Sequence, residues 1–114
     1  MNSARRLIAG VFCLLVLTAV PAAVSAIAAE THEVSIQDYR FQPSSLRIKV
    51  GDTVRWINRE KRTSHSMLFP GTPMLESERM FPEDTWSRTF DTAGSYPYRC
   101  GPHPEMEGKI DVVD

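Results

Sequence analysis

Tyr96-Pro97-Tyr98-Arg99-Cys100-Gly101-Pro102-His103-Pro104-Glu105-Met106 is the stretch on which the reading of this 114-residue chain turns. In its first half Tyr96, Tyr98 and Cys100 share one face at period two, the spacing of a half-buried strand. In its second half a thiol, an imidazole and a thioether recur at every third residue: Cys100, His103, Met106. On a helix that spacing would only stack the three on one side. A helix is disfavoured here, because Pro104 would sit in its interior and Gly101 would weaken its start. The segment therefore reads as a strand that runs into a tight loop, with three side chains curled around one point.

The same period-two pattern recurs along the chain. Val34 and Ile36 share a face, as do Leu46, Ile48 and Val50, then Val54 and Trp56 beyond the Gly51-Asp52 turn. Trp86 and Phe90 flank Arg88 in a further run, and Ile110 and Val112 close the chain. Pro43, Gly51, Pro70-Gly71, Pro73, Pro82 and Gly94 punctuate these runs. Only Thr72–Met80 is expected to form a helical turn. Short strands with turns between them predict an all-β chain, a β-sandwich whose loops gather at two poles. A second imidazole, His65, follows the Val54–Asn58 strand, and a sandwich could bring it to the pole of the Cys100 loop.

Met1–Ala29 stands apart. Arg5 and Arg6 precede an apolar run from Leu7 to Val20, then Pro21 and small residues, the order of a cleavable secretory signal peptide. The run is shorter than the ~20 residues of a membrane span. Cleavage is expected after Ala26 or Ala29, leaving one domain over residues 30–114. Of its 85 residues 27 are apolar, so its core is thin and a bound metal would help to stabilise it. With 11 basic against 14 acidic residues, nucleic acid is an unsuitable partner. Cys13 falls in the leader, so the domain has one thiol, Cys100, and no internal disulfide. An exported protein hides a lone thiol or uses it, and the leader points to a bacterial periplasm.

One thiolate, imidazoles and a weak thioether suit copper that alternates between Cu(II) and Cu(I). A lone His, then Cys-x-x-His-x-x-Met before a last strand, resembles the cupredoxins, the blue (type 1) copper proteins. The likeness is greatest to the amicyanins, with plastocyanins and pseudoazurins more distant. Phe41-Gln42-Pro43, Val50 to Trp56 and Phe90 to Ile110 carry it further. The resemblance implies a Greek-key β-sandwich with His65, Cys100 and His103 as equatorial copper ligands and Met106 as the long axial one. It implies a monomer that shuttles single electrons between redox proteins, such as a c-type cytochrome or an amine dehydrogenase, through the His103 edge. Copper delivery or buffering by the same ligands is the alternative. Two positions depart from the family pattern. Ser66 stands where Asn is usual and Gly101 where Thr or Ser is usual, the pair whose hydrogen bonds tie the ligand loops together.

The remaining candidates carry less. Met67 is expected in the core, with Met74 and Met80 as a loop-side lid. His32 would complete a square-planar Cu(II) chelate with a free amino terminus if the mature chain began Glu30-Thr31-His32. Its simpler role is that of a residue at a strand start. The chain has three histidines, too few for the further copper centres of copper oxidases, and it carries no Ser-His-Asp, zincin or phosphate-loop pattern, so it reads as no enzyme.

Overall fold

The alternating segments become strands in the computed structural model, which describes residues 9–22 and 28–114. Arg5, Arg6 and the expected cleavage point after Ala26 lie outside the described residues. Residues 9–22 form neither helix nor strand, and Phe12 and Leu17 are 96% and 87% exposed. No described helix is long and apolar enough to cross a membrane.

The strands are β1 (Thr31–Gln37), β2 (Arg40–Gln42), β3 (Ser45–Lys49), β4 (Thr53–Asn58), β5 (Leu68–Phe69), β6 (Leu75–Glu76), β7 (Thr85–Thr89), β8 (Gly94–Arg99) and β9 (Glu107–Val113). They form a four-stranded sheet, β2-β1-β4-β7, and a five-stranded sheet, β3-β9-β8-β5-β6. Both sheets are mixed, because β1 runs parallel to β4 and β3 parallel to β9. The chain crosses between the sheets repeatedly, as a Greek-key sandwich does, and each crossing leaves a loop at one of two poles.

The core lies between the sheets. Val34 and Ile36 of β1 and Val54 and Trp56 of β4 meet Phe69, Tyr98, Ile110 and Val112 of the other sheet. All of the set but Phe69, whose two-residue strand is buried throughout, show one face of an alternating strand. Trp56 Nε1 donates to Tyr98 Oη at 3.2 Å, a bond from sheet to sheet that satisfies both buried polar atoms. Tyr98 packs over Gly108, where a Cβ would overlap its ring.

Three expectations are corrected, and the place of Arg88 is added to them. Val50 leaves the β3 face, because the strand ends at Lys49 and Gly51 turns the chain at φ 92°; Val50 is 39% exposed. Thr72–Met80 forms no helical turn: Leu75–Glu76 pairs with Leu68–Phe69 as an edge strand. Met80 is no lid but a core residue, 2% exposed, whose backbone bridges to His65. Arg88 shares the inward face of β7 with Trp86, and its guanidinium lies 4.5, 4.6 and 5.2 Å from the ring centres of Phe69, Phe90 and Tyr96. Those ring faces, rather than an acid, accommodate its charge.

Candidate metal centre

Strand directions set up one pole. β4 ends there at Asn58, β8 ends there at Arg99, and β9 starts there opposite it, with Arg99 paired to Glu107. Asn58 is fully buried and shapes the loop that follows. Its Nδ2 donates to the carbonyls of Thr63 and Met80, and its Oδ1 accepts from Glu60 N. His65 and Met80 then exchange two backbone hydrogen bonds of 3.0 and 2.8 Å. His65 is thereby fixed with no solvent exposure.

Cys100 is the first residue beyond β8. Its N–H donates to Met106 O and Met106 N–H donates to His103 O, both at 2.9 Å, closing the loop on itself. The three candidate donors converge: Cys100 Sγ lies 3.5 Å from His65 Nδ1 and 3.6 Å from His103 Nδ1. Met106 is buried at the loop's closing end, and His103 is half-buried between Pro102 and Pro104.

The surroundings prepare these groups. His65 Nε2 donates to Glu60 Oε1 at 3.3 Å, so the Nδ1 lone pair faces the sulfur. Glu60 also accepts from Tyr39 N at 2.7 Å, and the Tyr39 ring meets both imidazoles edge-on, with centres 5.7 and 5.0 Å away. Burial pushes the His65 pKa down; the neighbouring His103 adds to this, and Glu60 opposes it. The imidazole is thus held neutral, as a ligand must be. Burial pushes the Cys100 thiol up, against backbone N–H groups of Ser66 and His103 that donate to sulfur. A metal ion has to displace that proton.

The donor set fits copper. Metal bonds of about 2.0 Å to nitrogen and 2.3 Å to sulfur, at trigonal angles, put N and S about 3.7 Å apart. The two observed separations are close to that. Two imidazoles, one thiolate and a nearby thioether are the set used for one-electron copper chemistry.

A family described as copper binding proteins, plastocyanin/azurin family, matches residues 28–113. The chain is a member of that family. This cupredoxin is 40% identical to the amicyanin of Paracoccus denitrificans over 96 residues, 81% of the chain and 72% of the relative. It is 37% identical to amicyanin-alpha of Methylorubrum extorquens over 94 residues, covering 79% and 78%. A plastocyanin of Scenedesmus fuscus matches at 37% over 84 residues, 63% of this chain and 85% of that one. An oxidised amicyanin variant superposes with a TM-score of 0.70 at 38% identity, covering 73% and 82% of the two chains. Copper is the cofactor of this cupredoxin, which carries electrons and is not an enzyme.

Sequence reasoning passed over Tyr39, Glu60 and Glu76. Tyr39 and Asp38 take positive φ, 57° and 53°, in the turn between β1 and β2, and no motif announces that turn. Glu60 is one charge in the run Arg59-Glu60-Lys61-Arg62, which reads as a solvated loop.

The opposite pole holds a second cluster. Glu30, His32 and Asp52 bring one donor atom each within 4.8 Å. Asp52 is nevertheless already engaged: it accepts from Glu30 N, Lys49 N and His32 Nε2 at 2.9, 3.0 and 3.0 Å. These bonds hold its pKa down at about 2, backbone donation from Glu30 first, then His32. His32 also lies in β1, in register with Val54. Successive amides of an extended strand point to opposite sides and cannot wrap one ion, so an amino-terminal chelate would require β1 to unpair, and His32 takes the simpler strand-start role.

Proposed function

We propose that this cupredoxin is a periplasmic shuttle for single electrons, in which His65, Cys100, His103 and Met106 would hold the copper. The observation that carries the reading is the approach of both Nδ1 atoms to Cys100 Sγ, at 3.5 and 3.6 Å. Bound copper supplies the chemistry, one electron accepted from a donor protein and passed to an acceptor.

The protein's own part is to hold the ligands in one arrangement for both oxidation states. Buried His65, anchored on Glu60, and Cys100, at the end of a paired strand, do this from beneath. His103 is the half-buried ligand, so its edge faces the partner. Glu105, exposed in the same loop, favours a partner with a basic rim. The likeness to amicyanins supports a c-type cytochrome or an amine dehydrogenase as a redox partner. Met1–Ala29 fits an export leader, cut after Ala26 or Ala29, whose exposed apolar residues serve no part of the sandwich. The domain of residues 30–114 works as a monomer.

The test is a visible and EPR spectrum of the copper-loaded domain. An intense thiolate-to-copper band with a narrow copper hyperfine splitting is expected, and a colourless copper protein would contradict the ligand set.

A further inference from the structure

Gly101 is the position in the ligand loop that local geometry does not explain. Its backbone is not among those with positive φ, so the chain there does not demand glycine. Space demands it. A Cβ at Gly101 would overlap the carboxylate of Glu76 and the hydroxyl of Ser66.

Those two side chains form a relay. Gly101 N donates to Ser66 Oγ at 3.1 Å, and Ser66 Oγ donates to Glu76 Oε1 at 2.9 Å. The single hydroxyl thus uses its acceptor side on one loop and its proton on the other. Strand pairing delivers Glu76 to the place: Leu68 of β5 pairs with Glu76 of β6 on one side and with Arg99 of β8 on the other. Glu76 therefore lies in one row with the residue before Cys100, two strands away.

We propose that Glu76 is a positioning residue for the metal centre, its carboxylate filling the space of a side chain at position 101 and locking Ser66 between the His65 and Cys100 loops. The tie accounts for both departures from the family pattern at once. A small hydroxyl at 66 and no side chain at 101 are what a third group inserted between the loops requires. In its bearing on copper the proposal rests on the ligand reading above; in its bearing on packing it does not.

The experiment is a cycle of Gly101→Ser, Glu76→Ala and the double variant, with Glu76→Gln alongside. In the metal-free protein, Gly101→Ser should lower Tm by about 4–8 °C or more while Glu76 is present. In the Glu76→Ala background the same serine should cost nothing, or raise Tm, because its hydroxyl meets Ser66 in the vacated space. Equal losses in both backgrounds would overturn the proposal. If Gly101→Ser does not fold, recovery of folding in the double variant supports it, and failure of both variants counts against it.

In the copper protein, the rate of Cu(I) removal by a chelator should rise about 10-fold or more in Glu76→Ala. It should return toward the wild-type rate in the double variant and in Glu76→Gln, whose amide oxygen still accepts from Ser66. Glu76→Gln as labile as Glu76→Ala would contradict the tie. A wild-type protein that binds no copper while the Tm coupling holds would instead refute only the ligand reading.

Discussion

His65, Cys100 and His103 at one pole and Glu30, His32 and Asp52 at the other each bring three metal-competent atoms within 4.8 Å. By count the clusters are equals; by chemistry they differ. At the first pole the donors face one another across weak contacts of 3.5 and 3.6 Å, and burial disfavours charge on both thiol and imidazole. A soft cation that displaces the thiol proton to solvent improves all three environments. At the second pole Asp52 is charged and already accepts three hydrogen bonds, and Glu30 is 74% exposed. An ion there would have to displace bonds that tie β1 to the β3–β4 turn. Proximity makes a cluster, but unmet demand among its donors makes a metal site.

The difference is open to attack from both ends. The largest effect is expected for Cys100→Ser. The blue band should vanish, while the imidazoles keep some copper, because a hydroxyl is a poor ligand at neutral pH. His32→Ala, at the other pole, should leave the copper spectrum unchanged, as absorption and EPR spectra of the two variants would show. Next is Glu60→Ala, which frees Nε2 of His65 and should weaken copper binding about 10- to 100-fold. A competitive chelator titration measures this; an unchanged affinity would mean that His65 is held by packing alone.

Asp52→Ala should act in the opposite sense, on the fold and not on the metal. It deprives two backbone donors of their acceptor and should lower Tm by roughly 5–10 °C with the copper spectrum intact. The smallest effect is its acid counterpart. The folded pKa of Asp52, about 2, lies below its ordinary 3.8, so the stability it adds is complete above about pH 4 and is lost as the pH falls toward 2. Unfolding of metal-free protein between pH 5 and 2 should show a steeper loss for the wild type than for Asp52→Ala.

What the sequence made legible was local. Cys100, His103 and Met106 lie within seven residues, and two prolines and a glycine dictate a loop, so their convergence follows from spacing. The strand faces around Val34, Val54 and Ile110 follow from alternation. Thr72–Met80 misled because Met74, Leu75 and Met80 carry no alternation, and their strand exists only through pairing with Leu68 and Phe69. Glu60 and Glu76 act across distance in the chain: Glu60 binds Tyr39 N, and Glu76 reaches Ser66 and, beyond it, Gly101. A solvated acid and an acid aimed at a ligand loop look alike in one dimension. Glycine at 101 was the one visible trace of Glu76, as the absence of a side chain where the family keeps a hydroxyl.

The most direct measurement is a stepwise titration of the metal-free domain with Cu(II), followed by thiolate-to-copper absorbance and EPR together. The blue band and a narrow-hyperfine signal should grow in parallel and stop at one equivalent, with the same titration in His32→Ala. A first equivalent that gives the wide hyperfine of a square-planar nitrogen and oxygen site, with no blue band and with loss of that signal in His32→Ala, would contradict the ligand set.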